Sequence, residues 1–111
     1  MRRVTMLLAA MALMVALFAA VAYAATIEGT SEGEILIESD LNDTIFGRGG
    51  SDEIVADFFG NDRDVVQGQG GNDDIFAEDG DGRDTVIGGG GGNDLCVGDP
   101  NDELDCEDEV Q

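Results

Sequence analysis

An acidic residue, a spacer and an apolar residue recur along this chain about every nine residues, and this repeat limits the possible folds more than any other feature. The copies are Asp43-Thr44-Ile45, Asp52-Glu53-Ile54, Asp64-Val65-Val66, Asp73-Asp74-Ile75, Asp84-Thr85-Val86, Asp94-Leu95-Cys96 and Asp102-Glu103-Leu104. They begin 9, 12, 9, 11, 10 and 8 residues apart, and glycine-rich turns separate several of them. A short period of this kind predicts stacked, similar units.

Each unit supplies one apolar residue, and the series is Ile27, Leu36, Ile45, Ile54, Val66, Ile75, Val86, Cys96 and Leu104. This is too sparse for an amphipathic helix, which needs three or four apolar residues in two turns. Glycine at this density also disfavours a helix, by about 1 kcal/mol per residue. Three-residue strands with one inward side chain fit the pattern, and two strand–turn units form one coil. The sequence therefore predicts an all-β fold, a parallel β-roll (β-solenoid) of about four 18-residue coils.

Residues 1–24 differ from the rest of the chain and are typical of a secretory signal peptide. Two arginines follow Met1, the segment from Met6 to Ala22 is almost wholly apolar, and Ala22-Tyr23-Ala24 has small residues where cleavage requires them. The alternative is an uncleaved membrane anchor, because the apolar run approaches the length of a bilayer span. Cleavage after Ala24 predicts a secreted, extracellular domain of residues 25–111 that has no membrane association.

Residues 25–111 are strongly acidic. The whole chain has five arginines, no lysine, no histidine and 25 acids, for a net charge of −20; two arginines lie in the signal, so three remain against 25 acids, a net −22. This charge argues against nucleic acid as a partner. The lack of lysine and histidine excludes Schiff-base and histidine-activated nucleophilic chemistry. Few apolar residues and a high charge indicate a chain that is disordered until cations neutralise it.

Two segments, Gly47 to Val55 and Gly68 to Phe76, resemble the haemolysin-type (RTX) calcium-binding nonapeptide G-G-x-G-x-D-x-U-x. Gly89 to Val97 resembles it with one extra glycine, and the resemblance extends over roughly residues 27–105. It implies calcium as the cofactor, bound between stacked turns by carbonyl and carboxylate oxygens. Calcium takes six to eight oxygens at about 2.3–2.6 Å, and glycine permits the backbone angles that direct carbonyls at one point.

Carried onto this chain, the resemblance implies ligands on two edges of the roll. The regular edge has Asp52, Asp73 and Asp94, with carbonyls from Gly47, Gly49, Gly50, Gly68, Gly70, Gly71, Gly89 and Gly91. The opposite edge has Asp43, Asp64 and Asp84, but its turns depart from the motif by three extra residues after Ala56 and two after Ala77. The stretch from Asp79 to Asp84 could hold an ion by itself, and Phe58 and Phe59 are expected to cover the edge.

Cys96 and Cys106 are the only cysteines of a chain with a secretory signal, which predicts a disulfide near the C-terminal end. The acidic run from Glu103 to Glu109 is expected to be a solvated tail without a metal.

The function that these features favour is a secreted calcium-binding repeat protein, not an enzyme. Paired carboxylates are used by glycosidases, but the chain offers no aromatic platform for a sugar, and we expect no cleft in a narrow roll. The alternative is an acidic extracellular interaction or adhesion module whose calcium is purely structural. A protein or surface partner could then meet an outward row of Ile37, Val55, Phe76 and Val97, since side chains alternate along a strand.

Overall fold

The computed structural model describes residues 24–39, 41–58, 60, 62–80 and 83–111, so the predicted signal peptide lies outside the described residues except for Ala24. These residues form ten short strands and no helix, and hence none that could cross a bilayer. The strands are β1 (Thr26–Glu28), β2 (Ile35–Ile37), β3 (Thr44–Phe46), β4 (Glu53–Val55), β5 (Val65–Gln67), β6 (Asp74–Ala77), β7 (Thr85–Ile87), β8 (Leu95–Gly98), β9 (Glu103–Asp105) and β10 (Asp108–Val110).

The strands form two parallel sheets, which confirms the predicted β-solenoid of about four coils. One sheet has the order β1-β3-β5-β7-β9 and the other has the order β10-β8-β6-β4-β2. The chain therefore crosses from one sheet to the other after each strand from β1 to β9 and returns one coil further along. Repeat positions pair directly in register, as Ile45 does with Val66 and Ile54 with Ile75.

The core of the roll is a single column of side chains between the two sheets. Because side chains alternate along a strand, the second residue of each strand from β1 to β9 points inward, and Ala56 and Ala77 add to this core. Six such residues, one from each of β3 to β8, are fully buried: Ile45, Ile54, Val66, Ile75, Val86 and Cys96. Ile27, Leu36 and Leu104 pack against this column at the two ends and are partly buried. The predicted apolar series is therefore confirmed throughout.

The C-terminal end is closed by the predicted disulfide. Cys96 of β8 is bonded to Cys106, and their Cα atoms are 6.1 Å apart. In the acidic run from Glu103 to Glu109 the acidic side chains are exposed, as expected of a solvated tail. Its backbone is part of the fold, because the run includes β9 and enters β10, which pairs in parallel with β8. The expectation of a solvated tail was therefore wrong for the backbone, because the short disulfide-closed loop returns the chain to the sheet edge.

Candidate metal centre

The glycine-rich turns of the regular edge stack so closely that side chains are excluded at specific points. Gly50 and Gly71 have φ values of 89° and 106°, in the left-handed region that favours glycine. A Cβ on Gly71 would collide with the carbonyl oxygen of Gly50, one coil earlier. Turns of successive coils therefore contact one another through their backbones, which places rows of carbonyl groups along this edge.

Each repeat aspartate on the regular edge accepts a hydrogen bond from the coil before it. The main-chain N–H of Asp52 donates to Oδ1 of Asp73, and that of Asp73 donates to Oδ1 of Asp94, both at 2.9 Å. The row continues at both ends, because the N–H of Glu34 donates to Asp52 and the N–H of Asp94 donates to Oε2 of Glu107. One carboxylate oxygen of each aspartate is thus used to hold adjacent coils together.

The opposite edge has the same arrangement. Main-chain N–H groups donate to the Oδ1 atom of the next aspartate along the row, which runs from Ala25 through Asp43, Asp64 and Asp84 to Asp102, at 2.8–2.9 Å. Asp102 and Glu107 were not predicted as site residues. Asp102 is a member of the acid–spacer–apolar repeat, which was a usable signal, whereas Glu107 stands outside that spacing.

On the regular edge, the second carboxylate oxygen points into a space shared with glycine. Oδ2 of Asp52, Asp73 and Asp94 is buried and has no hydrogen-bond partner among the described residues. A Cβ on Gly47 would lie 2.6 Å from Oδ2 of Asp52 and 2.7 Å from the carbonyl oxygen of Gly68. An aspartate oxygen and a carbonyl oxygen of the next coil therefore flank a space that only the lack of a side chain keeps open. We call this space the glycine cradle.

The glycine cradle recurs along the edge. A Cβ on Gly68 would contact Oδ2 of Asp73 and would lie 2.8 Å from the carbonyl oxygen of Gly88. In the first coil Glu34 takes the place of aspartate beside Gly29. In the third turn a Cβ on Gly88 would lie 2.6 Å from Oδ2 of Asp94. This glycine stands one position before the predicted Gly89, because the extra glycine shifts the phase. A space of this kind is lined by hard oxygen atoms, the donors that hard metal cations prefer.

Burial raises the pKa of the regular-edge carboxyl groups. For Asp52, Asp73 and Asp94 the largest cause is the loss of water around the charge. The pKa of Asp73 is further raised by the negative charges of Asp94 and Asp52, although the hydrogen bond from the Asp52 backbone opposes this. A bound cation would relieve both the desolvation and the repulsion, which makes these positions favourable for a metal.

The opposite edge contains a different acidic group, which the sequence did not predict as a unit. Glu38 follows β2, while Asp62 and Asp64 precede β5 at the end of the inserted turn, residues 56–64. All three are buried, and one carboxylate oxygen from each lies within 4.8 Å of the others, so the group could hold a metal ion. Asp64 was predicted as a ligand; Glu38 and Asp62 were missed because neither occupies the repeat position.

Two sequence expectations concern the irregular turns of the opposite edge: that phenylalanines cover the edge, and that the stretch from Asp79 to Asp84 holds an ion. Phe58 is 63% exposed, so its ring does not cover the edge of the roll, and Phe59 lies outside the described residues. The predicted ion-binding stretch from Asp79 to Asp84 is described only in part, since residues 81 and 82 are outside the described ranges.

Comparisons of the chain with protein-family models, with curated proteins and with solved structures find no significant match. The positions, burial and charge of its own oxygen atoms are therefore the grounds on which a ligand can be assigned.

Proposed function

We propose that this protein is a secreted calcium-binding repeat protein of the haemolysin-type (RTX) class, which folds as several calcium ions bind between its stacked glycine-rich turns. The observation that carries the proposal is the glycine cradle. An unpartnered aspartate oxygen and a carbonyl oxygen from the next coil meet there, beside Gly47 and again beside Gly68. Each ion would join two coils that are adjacent in space.

The donor set favours calcium over softer metals. The residues around the cradles offer carboxylate and carbonyl oxygens, which suit calcium and magnesium. The chain has no histidine, and both cysteines are in the disulfide, so it lacks the nitrogen and sulfur ligands typical of zinc and copper sites. Calcium accepts irregular coordination and carbonyl ligands more readily than magnesium, which demands near-octahedral geometry and keeps several waters. The proposal assigns the protein no enzymatic activity.

Folding and ion binding are coupled because of charge. Residues 25–111 have three arginines and 25 acids, and the roll buries seven of the repeat aspartates, from Asp43 to Asp102. Bringing these carboxylates together without cations opposes folding through desolvation and mutual repulsion. Calcium bound to the folded state alone shifts the equilibrium toward that state. We expect half-maximal folding at roughly 0.1–1 mM calcium, the range of extracellular modules.

Secretion is part of the proposal and has two supports. The disulfide between Cys96 and Cys106 fits an oxidising compartment, and residues 1–24 have the pattern of a cleaved signal. Calcium at the millimolar level is then available to a protein whose sites are weak.

Circular dichroism and calorimetry of residues 25–111 test the proposal. In calcium-free buffer we expect a largely disordered spectrum, which becomes β-rich as calcium is added. Sodium chloride at matched ionic strength is the control for simple charge screening. A spectrum that is already β-rich without calcium, from a protein that binds no calcium in calorimetry, would contradict the proposal.

A second candidate function is an acidic interaction module in which calcium is purely structural. The observation in its favour is an outward apolar row on the even-numbered sheet, formed in register by Ile37, Val55, Phe76, Val97 and Val110. Ile37 and Val110, at its two ends, are 50% and 52% exposed. Contiguous exposed apolar surface often marks a contact with another molecule. This row would exist only after the coils have stacked.

A further inference from the structure

The inserted turn, residues 56–64, brings together three buried carboxylates that do not follow the repeat as a set. Glu38 lies at the end of β2 in the first coil, whereas Asp62 and Asp64 lie just before β5, one coil further on. Their nearest oxygens are within 4.8 Å of one another. We refer to Glu38, Asp62 and Asp64 as the carboxylate triad. Two of its members are absent from the nonapeptide pattern, so the triad is separate from the glycine cradles.

Asp62 is the residue that most requires a ligand. Its side chain is 7% exposed, and neither of its carboxylate oxygens has a hydrogen-bond partner among the described residues. Oδ2 of Asp64, a fully buried residue, is also without a partner there. Burying an ionised carboxylate without a counter-charge costs several kcal/mol. Within the described ranges the neighbouring Arg63 does not supply this charge, because it is exposed and forms no salt bridge with Asp62 or Asp64.

The three carboxylates bring acidic groups close together in a buried part of the roll. Two ionised carboxylates cannot hydrogen-bond to each other, since neither has a proton to donate. A cation between the three groups would offset their charges and would bind the unpartnered oxygens of Asp62 and Asp64, whereas one proton would leave Asp62 unsatisfied.

We propose that Glu38, Asp62 and Asp64 form a divalent-cation site built only from carboxylates, which binds calcium more tightly than the glycine cradles and fastens the inserted turn to the first coil. Calcium–oxygen distances of about 2.3–2.6 Å allow ligand oxygens on opposite sides of one ion to be about 4.6–5.2 Å apart. The triad lies within that span. Its three formal charges exceed those available at a cradle, and affinity for calcium depends on the number of charged ligands.

The backbone shows how the ion would act on the fold. The N–H of Phe58, in the inserted turn, donates to Oε1 of Glu38 at 2.6 Å, and the N–H of Glu38 donates to the carbonyl of Val55 at 3.0 Å. Glu38 is therefore already attached to both β4 and the inserted turn. This turn has only Gly60 in place of the glycine-rich stack, so carboxylates take the role that carbonyls have on the regular edge.

Calcium titration of residues 25–111 by calorimetry tests the site. We expect a first binding phase of about one ion, at least tenfold tighter than the following phases. Asp62→Asn should abolish this phase and bind one ion fewer. Asp74→Asn, which removes the same charge from an exposed position on β6, should keep it. Asp73→Asn should weaken only the later phases, so a failure of the cradles is distinguished from a failure of the triad. Magnesium titrated in place of calcium should produce no tight phase.

A folded Asp62→Asn protein with wild-type affinities and ion number would overturn the proposal. Loss of folding is also decisive, because the two explanations predict opposite signs. If the triad binds no cation, removing one of three repelling charges should stabilise the roll or leave it unchanged. If it binds calcium, Asp62→Asn should raise the calcium concentration needed for folding, and Glu38→Gln, on the other coil, should do the same. If both variants fold at the same calcium concentration as the wild type, or at a lower one, the proposed site is contradicted.

Discussion

The backbone N–H of Asp52 donates to Oδ1 of Asp73, one coil further along the regular edge, while Oδ2 of Asp73 is directed to the space beside Gly68. The same side chain therefore has two separable tasks. One oxygen ties adjacent coils together in any condition in which the roll forms. The other oxygen is available to a cation.

Two substitutions at Asp73 should separate these tasks. Asp73→Asn keeps an oxygen for the Asp52 N–H but removes the charge, so we expect weaker calcium binding with coil contacts retained. Asp73→Ala also leaves the buried N–H without an acceptor, which costs about 1–3 kcal/mol. Urea unfolding in saturating calcium should show the alanine variant less stable than the asparagine variant by about that amount. Equal stabilities would contradict a structural role for this hydrogen bond.

The glycine cradle predicts a difference between two glycines of one turn. Gly68→Ala places a methyl group against Oδ2 of Asp73 and the Gly88 carbonyl. We expect this variant to lose calcium binding at the cradle beside Gly68 and to need several-fold more calcium to fold. Gly70→Ala is the matched control, because its nearest neighbour would be 3.4 Å away, at ordinary contact distance. Both variants are compared by calcium-dependent circular dichroism; similar midpoints would argue against the cradle as the ion site.

Acid should favour the roll when calcium is absent. The pKa of Asp64 is raised from 3.8 to about 8 in the folded state, so the folded state binds more protons than the unfolded chain between these values. Stability without calcium should therefore increase as pH falls from about 8 toward 4 and decrease as pH rises. In calcium the trend should reverse, since protons displace the ion. Circular dichroism at pH 8 and pH 5, in buffer stripped of calcium, measures the pH dependence of folding without calcium. Asp64→Asn should reduce the effect.

Removing the disulfide should loosen the C-terminal coil. The ten-residue separation of Cys96 and Cys106 closes a short loop that carries the chain from β8 to β10. The double variant Cys96→Ser, Cys106→Ser should lose about 2–3 kcal/mol of unfolding free energy. Hydrogen exchange should locate the loss in β8 to β10. An unchanged free energy of unfolding in calcium, for this variant or for the reduced wild type, would contradict a stabilising role of the disulfide at the C-terminal end.

The second candidate function predicts that calcium exposes a contact surface. If the outward apolar row binds a second copy, wild type should sediment as a larger species in calcium than in chelator, and Phe76→Asp should remain monomeric. Gln67→Asp is the control, because Gln67 points outward at the equivalent position on the opposite sheet. A monomeric wild type that also captures no extracellular partner in calcium would remove this candidate.

The fold is largely predictable from the sequence because a parallel β-roll repeats one simple relation. Every three-residue strand has one central side chain, so a single apolar residue per unit is enough to specify which face is inward. The spacing of Ile45, Val66 and Val86 is therefore sufficient to assign them to one column of the core. Irregular turn lengths do not disturb this assignment, since the strands on either side of them still pair in register.

The sequence by itself determined β1 to β9, the apolar column and the disulfide, since these follow from local spacing and composition, and the resemblance to the nonapeptide assigned the repeat aspartates to the two edges. The tertiary structure alone decided which oxygen atoms converge. Spacing cannot show that Oδ1 of each aspartate is used by the preceding coil while Oδ2 of Asp73 remains available. It also cannot show that Glu38 meets Asp62 and Asp64. Those groups are brought together by the stacking of coils about twenty residues apart in sequence, and a carboxylate belongs to a site only through the neighbours that stacking provides.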